Sequence, residues 1–218
     1  MFMTKATLNA RALLLGGWRV PDDDYAVHQA LWLLFGDHAD RKRDFLYRAI
    51  GPASFLVVSR REPEDATGAW TLDIKPYEPR LRAGERLHFA LRANAVRKTR
   101  DAEGRQVRHD VVQDERERLR AAGGAQLPPR AVLAQEAGAR WLLARQQSLG
   151  LLLEPGSLSA HGYEVRDFRR RGKRVRFGVL DLKGMATVGD VDCLLGALMN
   201  GVGPSKGFGC GLLTVMRG

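Results

Sequence analysis

Three groups of residues in this chain have types and spacings that can do chemistry. Tyr25, His28 and Trp32 recur at i, i+3 and i+7. At 100° per residue a helix carries them on one side, opposite Val27, Ala30, Leu31 and Leu34. Imidazole exchanges protons near neutrality; a phenol one turn earlier can orient it or bind a reacting phosphate, and an indole offers a stacking surface. A helix packed on both faces would look the same, and the residues alone leave both readings open. The second group is Arg166, Arg169, Arg170, Arg171, Lys173, Arg174 and Arg176, seven cations within eleven residues, with Asp167 the one acid among them. Protecting a sheet edge needs only one or two charges. A two-stranded ribbon this basic is expected to bind phosphates. The third is the loop Gly201-Val202-Gly203-Pro204-Ser205-Lys206-Gly207-Phe208-Gly209-Cys210-Gly211. Glycines allow close approach and positive φ, which suits an anion cradle around Lys206, but a ligand-free turn is equally compatible. The loop is not a dinucleotide fingerprint: it follows a helical pattern and precedes a strand, and Gly203 to Gly207 is one residue too long.

The elements that must position these residues read as follows. Residues 2–9 alternate loosely as a strand. The acids Asp22 to Asp24 after Pro21 open a helix expected over 24–35. Phe55 to Ser59 and Trp70 to Ile74 are short strands, and Leu87 to Asn94 is a strand expected to close the first half. The polar stretch 97–108 is taken as a boundary, and Pro128-Pro129 as a second break. A helix is expected over 131–148, a long hairpin over 161–182 with its tip at 170–173, a helix over 187–200 and a final strand. The reading is α+β, with two tandem ferredoxin-like domains at 1–98 and 105–218. Residues 1–98 would carry the His28 helix, and 105–218 the basic hairpin and the glycine loop.

The composition narrows the partner. The chain has 218 residues, 44% of them apolar, and 35 Lys plus Arg against 25 Asp plus Glu, for a net charge of +10. Arginine supplies most of that surplus, and its fork binds phosphate and stacks on bases, which favours nucleic acid. Lys206-Gly207-Phe208-Gly209 echoes the start of an RNA-recognition signature, but the aromatic strand that should follow is missing. Two cysteines, Cys193 and Cys210, form no metal or disulfide pattern and read as packed thiols of a reducing cytoplasm. No signal peptide and no run long enough to span a membrane is evident, so a cytoplasmic protein is expected. Asp22, Asp23 and Asp24 are explained by helix capping, and no zinc spacing, P-loop or G-x-S-x-G is present.

The segments Tyr25-Ala26-Val27-His28-Gln29-Ala30-Leu31-Trp32 and Arg43-Asp44-Phe45-Leu46-Tyr47 occur in that order. They are followed by Leu91-Arg92-Ala93-Asn94 and by Gly201 to Leu213. Together they resemble the type I-E CRISPR repeat endoribonucleases, the CasE-type subunits of Cascade within the RAMP superfamily. The resemblance runs over about residues 1–215 and is patchy between 112 and 160, where extra residues are expected around Pro128. It implies two ferredoxin-like domains and an enzyme that cuts CRISPR precursor RNA at the 3′ base of the repeat stem-loop. The 2′-hydroxyl would attack, without a metal or other cofactor. It implies His28 as the catalytic histidine, with Tyr25 in support. Candidate RNA contacts are the seven hairpin cations with Gly201, Gly203, Lys206, Gly207, Gly209, Arg92 and Lys98. The implied partners are the repeat RNA, the mature crRNA and other Cascade subunits, in particular the backbone protein beside the crRNA 3′ handle; a membrane is not among them. Two departures stand out: Ala95 replaces a proline common after Arg-Ala-Asn, and the hairpin is short and arginine-dense. A non-catalytic RNA-binding subunit and a general shape-reading RNA-binding protein are the rival readings.

Overall fold

The computed structural model describes residues 1–36, 43–123 and 126–218. The chain runs β1 (Phe2–Leu8), α1 (Ala10–Leu15), α2 (Asp24–Trp32), β2 (Phe45–Gly51), β3 (Ser54–Ser59), β4 (Trp70–Pro76) and β5 (Arg86–Ala93). It continues through β6 (Val96–Arg100), β7 (Gln106–Asp110), α3 (Val111–Ala121), α4 (Arg130–Leu143) and β8 (Leu151–Leu153). The last elements are β9 (Ser159–Arg170), β10 (Lys173–Val188), α5 (Val191–Asn200) and β11 (Leu213–Arg217).

Among the described residues the strands form two main sheets and a small ribbon. The first sheet has the order β2-β3-β1-β4 and the second the order β11-β5-β10-β8, with β9 paired to β10. Both orders are those of a ferredoxin-like unit, so the expected pair of tandem α+β units is what the chain forms. The assignment of β5 changes, however. Expected to close the first half, it instead lies between β10 and β11, pairing Leu91 with both Leu182 and Leu213. Its inward residues Leu87, Phe89, Leu91 and Ala93 are buried in the second core, not the first, and that burial dictates the pairing. A boundary at 98–105 therefore cuts through the second unit. The polar stretch taken as a linker is itself the β6–β7 ribbon, registered Val96 to Asp110.

Local chemistry fixes most ends. Asp23 caps α2 by accepting from the Ala26 amide at 2.7 Å. Asp190 caps α5 by accepting from the Cys193 amide at 2.8 Å, and so the helix starts after Thr187 and Val188, which stay in β10. The helix expected over 24–35 ends at Trp32, with Leu34 and Phe35 in a buried turn. The second long helix stops at Leu143, short of the expected 148. The expected hairpin is real and longer, running from Ser159 to Val188. It turns through Arg171 and Gly172 at φ +48° and +76°, the geometry of a two-residue hairpin loop. Gly138 lets α4 lie close on the second sheet: a Cβ there would be 2.7 Å from the Ala160 Cβ. The region around Pro128, expected to carry extra residues, contains α3 and the start of α4; residues 124–125 within it lie outside the described ones.

Candidate active site

The side chains that could do chemistry meet where the first unit's α2 faces the second unit's hairpin and glycine loop. Ala30, Leu31 and Leu34 go into the first core, while Tyr25 and His28 are half-buried on the other side of the helix, and the half-buried Trp32 beside His28 also packs against that core. The His28 ring lies 5.5 Å from Trp32 and 6.2 Å from Phe208, and stacks on Phe45 at 6.4 Å. A Cβ at Gly207 would sit 3.7 Å from His28 Nδ1 and Cε1, so the short turn Lys206–Phe208 closes against the imidazole. Nδ1 is enclosed and has no hydrogen-bond partner. Burial pushes the His28 pKa below the ordinary imidazole value, and the positive charges of Arg43 and Arg170 push it the same way. These surroundings favour the neutral imidazole, the form able to accept a proton. Trp18, Tyr25, His28, Trp32, Arg170 and Arg171 line an open groove of about 610 Å³.

The hairpin brings only part of its charge to this groove. Alternate residues of a strand face opposite ways, which puts Arg166, Phe168 and Arg170 on the inner face with Lys173 across from Arg170. Phe168 is buried against Phe208 at 5.0 Å and Phe177 at 6.1 Å. The Arg170 guanidinium lies 5.9 Å from the Tyr25 ring and 6.0 Å from the Phe208 ring. Arg166 reaches inward too, 2.8 Å from Glu164 and 3.6 Å from Asp24. Arg169, Arg174 and Arg176 are on the outer face, where Arg174 is paired with Asp167.

The glycine loop is a floor held from both units. Tyr47 donates to the Gly207 carbonyl at 3.1 Å, and Arg43 Nη1 donates to the carbonyls of Lys206 at 2.9 Å and Phe45 at 2.7 Å. Asn94 Nδ2 donates to Ser205 Oγ at 2.7 Å, and the Gly211 amide to the Arg92 carbonyl at 2.7 Å. Gly201, Gly203 and Gly209 face protein: a Cβ at these positions would meet Leu46 at 2.8 Å, Asn94 O at 3.5 Å and the Tyr47 ring at 3.4 Å. Packing excludes a side chain at Gly201, while Gly203 and Gly209 would make only ordinary contacts and are held to glycine by φ angles of +76° and +73°; Gly207 is the loop glycine beside His28. Lys206 is not free at the centre of an anion cradle, as the loop's glycines allowed it to be. Its Nζ donates to the Asn200 carbonyl at 2.7 Å, at the C-terminus of α5, where the helix dipole favours a cation.

Two other candidates lie elsewhere. Arg92 is committed to an ion network with Glu164 and, at 3.9 Å, Asp181. Lys98 is exposed on β6 and lines a different cavity. The residues that pattern-reading missed are Arg43, Phe45, Tyr47 and Phe208. Arg43 to Tyr47 stand inside a noted segment, but nothing in the sequence places Arg43 under the glycine loop. Phe208 interrupts the glycines, and its apolar ring is the local sign that the loop packs on something. Among the described residues no cluster of three or more His, Cys, Asp or Glu side chains could hold a metal ion.

The chain is similar to known proteins over nearly its whole length. A family model described as CRISPR associated protein matches residues 1–217. The CRISPR system Cascade subunit CasE of Escherichia coli strain K12 is 26% identical over 198 residues, covering 88% of this chain and 92% of that protein. The CRISPR-associated endoribonuclease Cse3 of Thermus thermophilus is 28% identical over 225 residues, covering 99% of each. The crystal structure of the CRISPR-associated protein Cas6e from Escherichia coli K-12 superposes with a TM-score of 0.68 at 25% identity, with both chains covered in full. Thermus thermophilus Cse3 bound to an RNA representing a pre-cleavage complex superposes at 0.72 and 24% identity, over 99% of this chain and 98% of that one, and shows the shared fold.

Proposed function

Because the chain belongs to the CRISPR-associated protein family whose model spans it, we propose that it is the endoribonuclease that cuts CRISPR precursor RNA and joins Cascade. The names of its relatives, a Cascade subunit and an endoribonuclease, support this reading. The observation that carries the chemistry is a half-buried His28 lining a groove with Tyr25, Arg170 and Arg171, its pKa pushed down by burial and by the charges of Arg43 and Arg170. The cut falls at the 3′ base of the repeat stem-loop. There the 2′-hydroxyl gives its proton to His28 as its oxygen bonds to phosphorus, and the bond to the 5′-oxygen breaks. That oxygen takes up a proton from water, leaving a 2′,3′-cyclic phosphate and a 5′-hydroxyl; later addition of water to the cyclic phosphate would give the 3′-phosphate. An internal nucleophile needs no activated water and no metal; it needs alignment and charge stabilisation. Tyr25 and Arg170, in contact across the groove, hold the reacting phosphate, and the outer cations of the hairpin grip the stem. The product stays bound as mature crRNA, beside the Cascade backbone protein at its 3′ handle. The reaction takes place in the cytoplasm, where precursor RNA is made; no described helix is long and apolar enough to cross a membrane.

The test is to incubate the protein with repeat RNA in excess EDTA and map the ends. One cut at the stem base with a 5′-hydroxyl is expected, and a 2′-deoxy substitution at the cut site should abolish it. His28→Ala should lower the single-turnover rate by at least about 100-fold while the repeat still binds. Tight binding without cutting by the unaltered protein would instead make the chain a non-catalytic RNA-binding subunit.

A further inference from the structure

A second cavity, of about 600 Å³, lies between α3, α4 and β6 and shares no lining residue with the His28 groove. Its cations are Arg97, Lys98, Arg118, Arg140 and Arg145, and its acids are Asp114 and Glu115. The acids organise the arginines. Asp114 takes Arg97 in a forked pair at 2.8–3.0 Å. Glu115, 7% exposed, holds Arg118 at 2.7 Å and Arg140 at 3.2 Å. The guanidinium of Arg145 lies 4.1 Å from the centre of the Trp141 ring. It donates to the carbonyls of Trp141 at 2.8 Å and Val96 at 3.3 Å, which fixes its plane. A fixed guanidinium plane stacks on a nucleobase, and the cations around it suit the phosphates on either side. Paired bases keep their faces covered by their neighbours, so the chemistry fits unpaired nucleotides.

A second trough adjoins the cavity and runs towards the glycine loop. Arg145 lines it with Gly201, Val202 and Gly203, the start of the loop whose Gly207 abuts His28. A strand leaving the stem base can follow that trough. We infer that the α3–α4–β6 cavity binds unpaired nucleotides flanking the repeat stem-loop, as a second RNA site separate from the hairpin. This rests on the RNA-cutting function proposed above. Charge and continuity favour RNA here over an acidic segment of a neighbouring subunit.

Affinity should be measured for the wild-type protein with three uncleavable 2′-deoxy RNAs: the stem-loop alone, the stem-loop with a 5′ flank, and the stem-loop with a 3′ flank. One flank should add about tenfold in affinity, the equivalent of one stacked base; which flank does so identifies the strand. In K98Q/R140Q, which changes two exposed side chains, the ratio of flanked to unflanked affinity should collapse towards one. Lys98 should be shielded from amine acetylation by the effective flanked RNA and not by the bare stem-loop. If the bare stem-loop binds but neither flank adds affinity or shields Lys98, the cavity assignment is wrong and the enzyme reading survives. If the bare stem-loop does not bind, the enzyme reading fails. Shielding of Lys98 by assembled Cascade subunits, but not by flanked RNA, would assign the cavity to a protein partner and overturn the inference.

Discussion

An imidazole can take a proton only while it is empty, and the surroundings of His28 keep it so. Burial is the larger cause, and Arg43 and Arg170 add like-charge repulsion against the protonated form. Removing one of these cations makes protonation easier, so the pKa must rise. An NMR titration of the free protein should therefore place the His28 midpoint below the ordinary 6.5 or so, and R170Q should move it upward. A midpoint that stays still in R170Q would show that the hairpin cation does not act on the imidazole. At this scale the sequence was informative for His28 and Tyr25, because a spacing of three residues on a helix puts them on one face whatever the helix packs against. It was not informative for Lys206, whose ammonium caps a helix end that only the folded loop brings within reach.

The hairpin's two faces have different duties. Its inner face is a contact surface: Phe168 is packed on Phe208, and Arg170 lies near Tyr25. Its outer face carries Arg169 and Arg176 towards solvent. For every phosphate deprived of its cation, the plot of log affinity against log salt should flatten by about 0.7–0.9. R169Q/R176Q should thus lose up to about 1.8 from that slope, and its rate at saturating protein should fall far less than that of R170Q. An unchanged slope would remove the outer face from the stem contact. The hairpin itself was legible, since two charged runs flank an obvious turn at Arg171-Gly172. The strand β2 was not, because its first three residues, Phe45, Leu46 and Tyr47, are all buried. Tyr47 enters the first core and Leu46 a separate cluster with Val58 and Leu212. Covered on both faces, the strand has no alternation to read. The true partner of β5 was hidden for another reason: its neighbours β10 and β11 lie some ninety and more positions further on, and no local pattern records a pairing over that distance.

At the scale of the molecule, the candidate site lies where the two units meet, α2 and β2 of the first against β9 and the glycine loop of the second. Arg48 on β2 reaches Asp181 on β10 at 2.9 Å, and Arg92 on β5 faces the same carboxylate at 3.9 Å. The Arg48 and Asp181 side chains are 25% and 20% exposed, so removing the acid takes this counter-charge from a partly desolvated Arg48, while Arg92 keeps Glu164. D181A should cost about 1–3 kcal/mol, between the exposed and fully buried cases, read as a lower urea midpoint. Cleavage should slow although Asp181 lies outside the groove, because the hairpin and α2 belong to different sheets. A midpoint within error of wild type would show that the bridge does not hold the units together. The split also sets an order in time. A ribosome makes His28 early, the hairpin much later, and the glycine loop at 201–211 after both. A growing chain that stops short of that loop has its histidine without the floor made by Gly207 and Phe208. With His28 as the catalytic group proposed above, the growing chain should stay inert towards RNA until the loop and β11 have closed the second sheet.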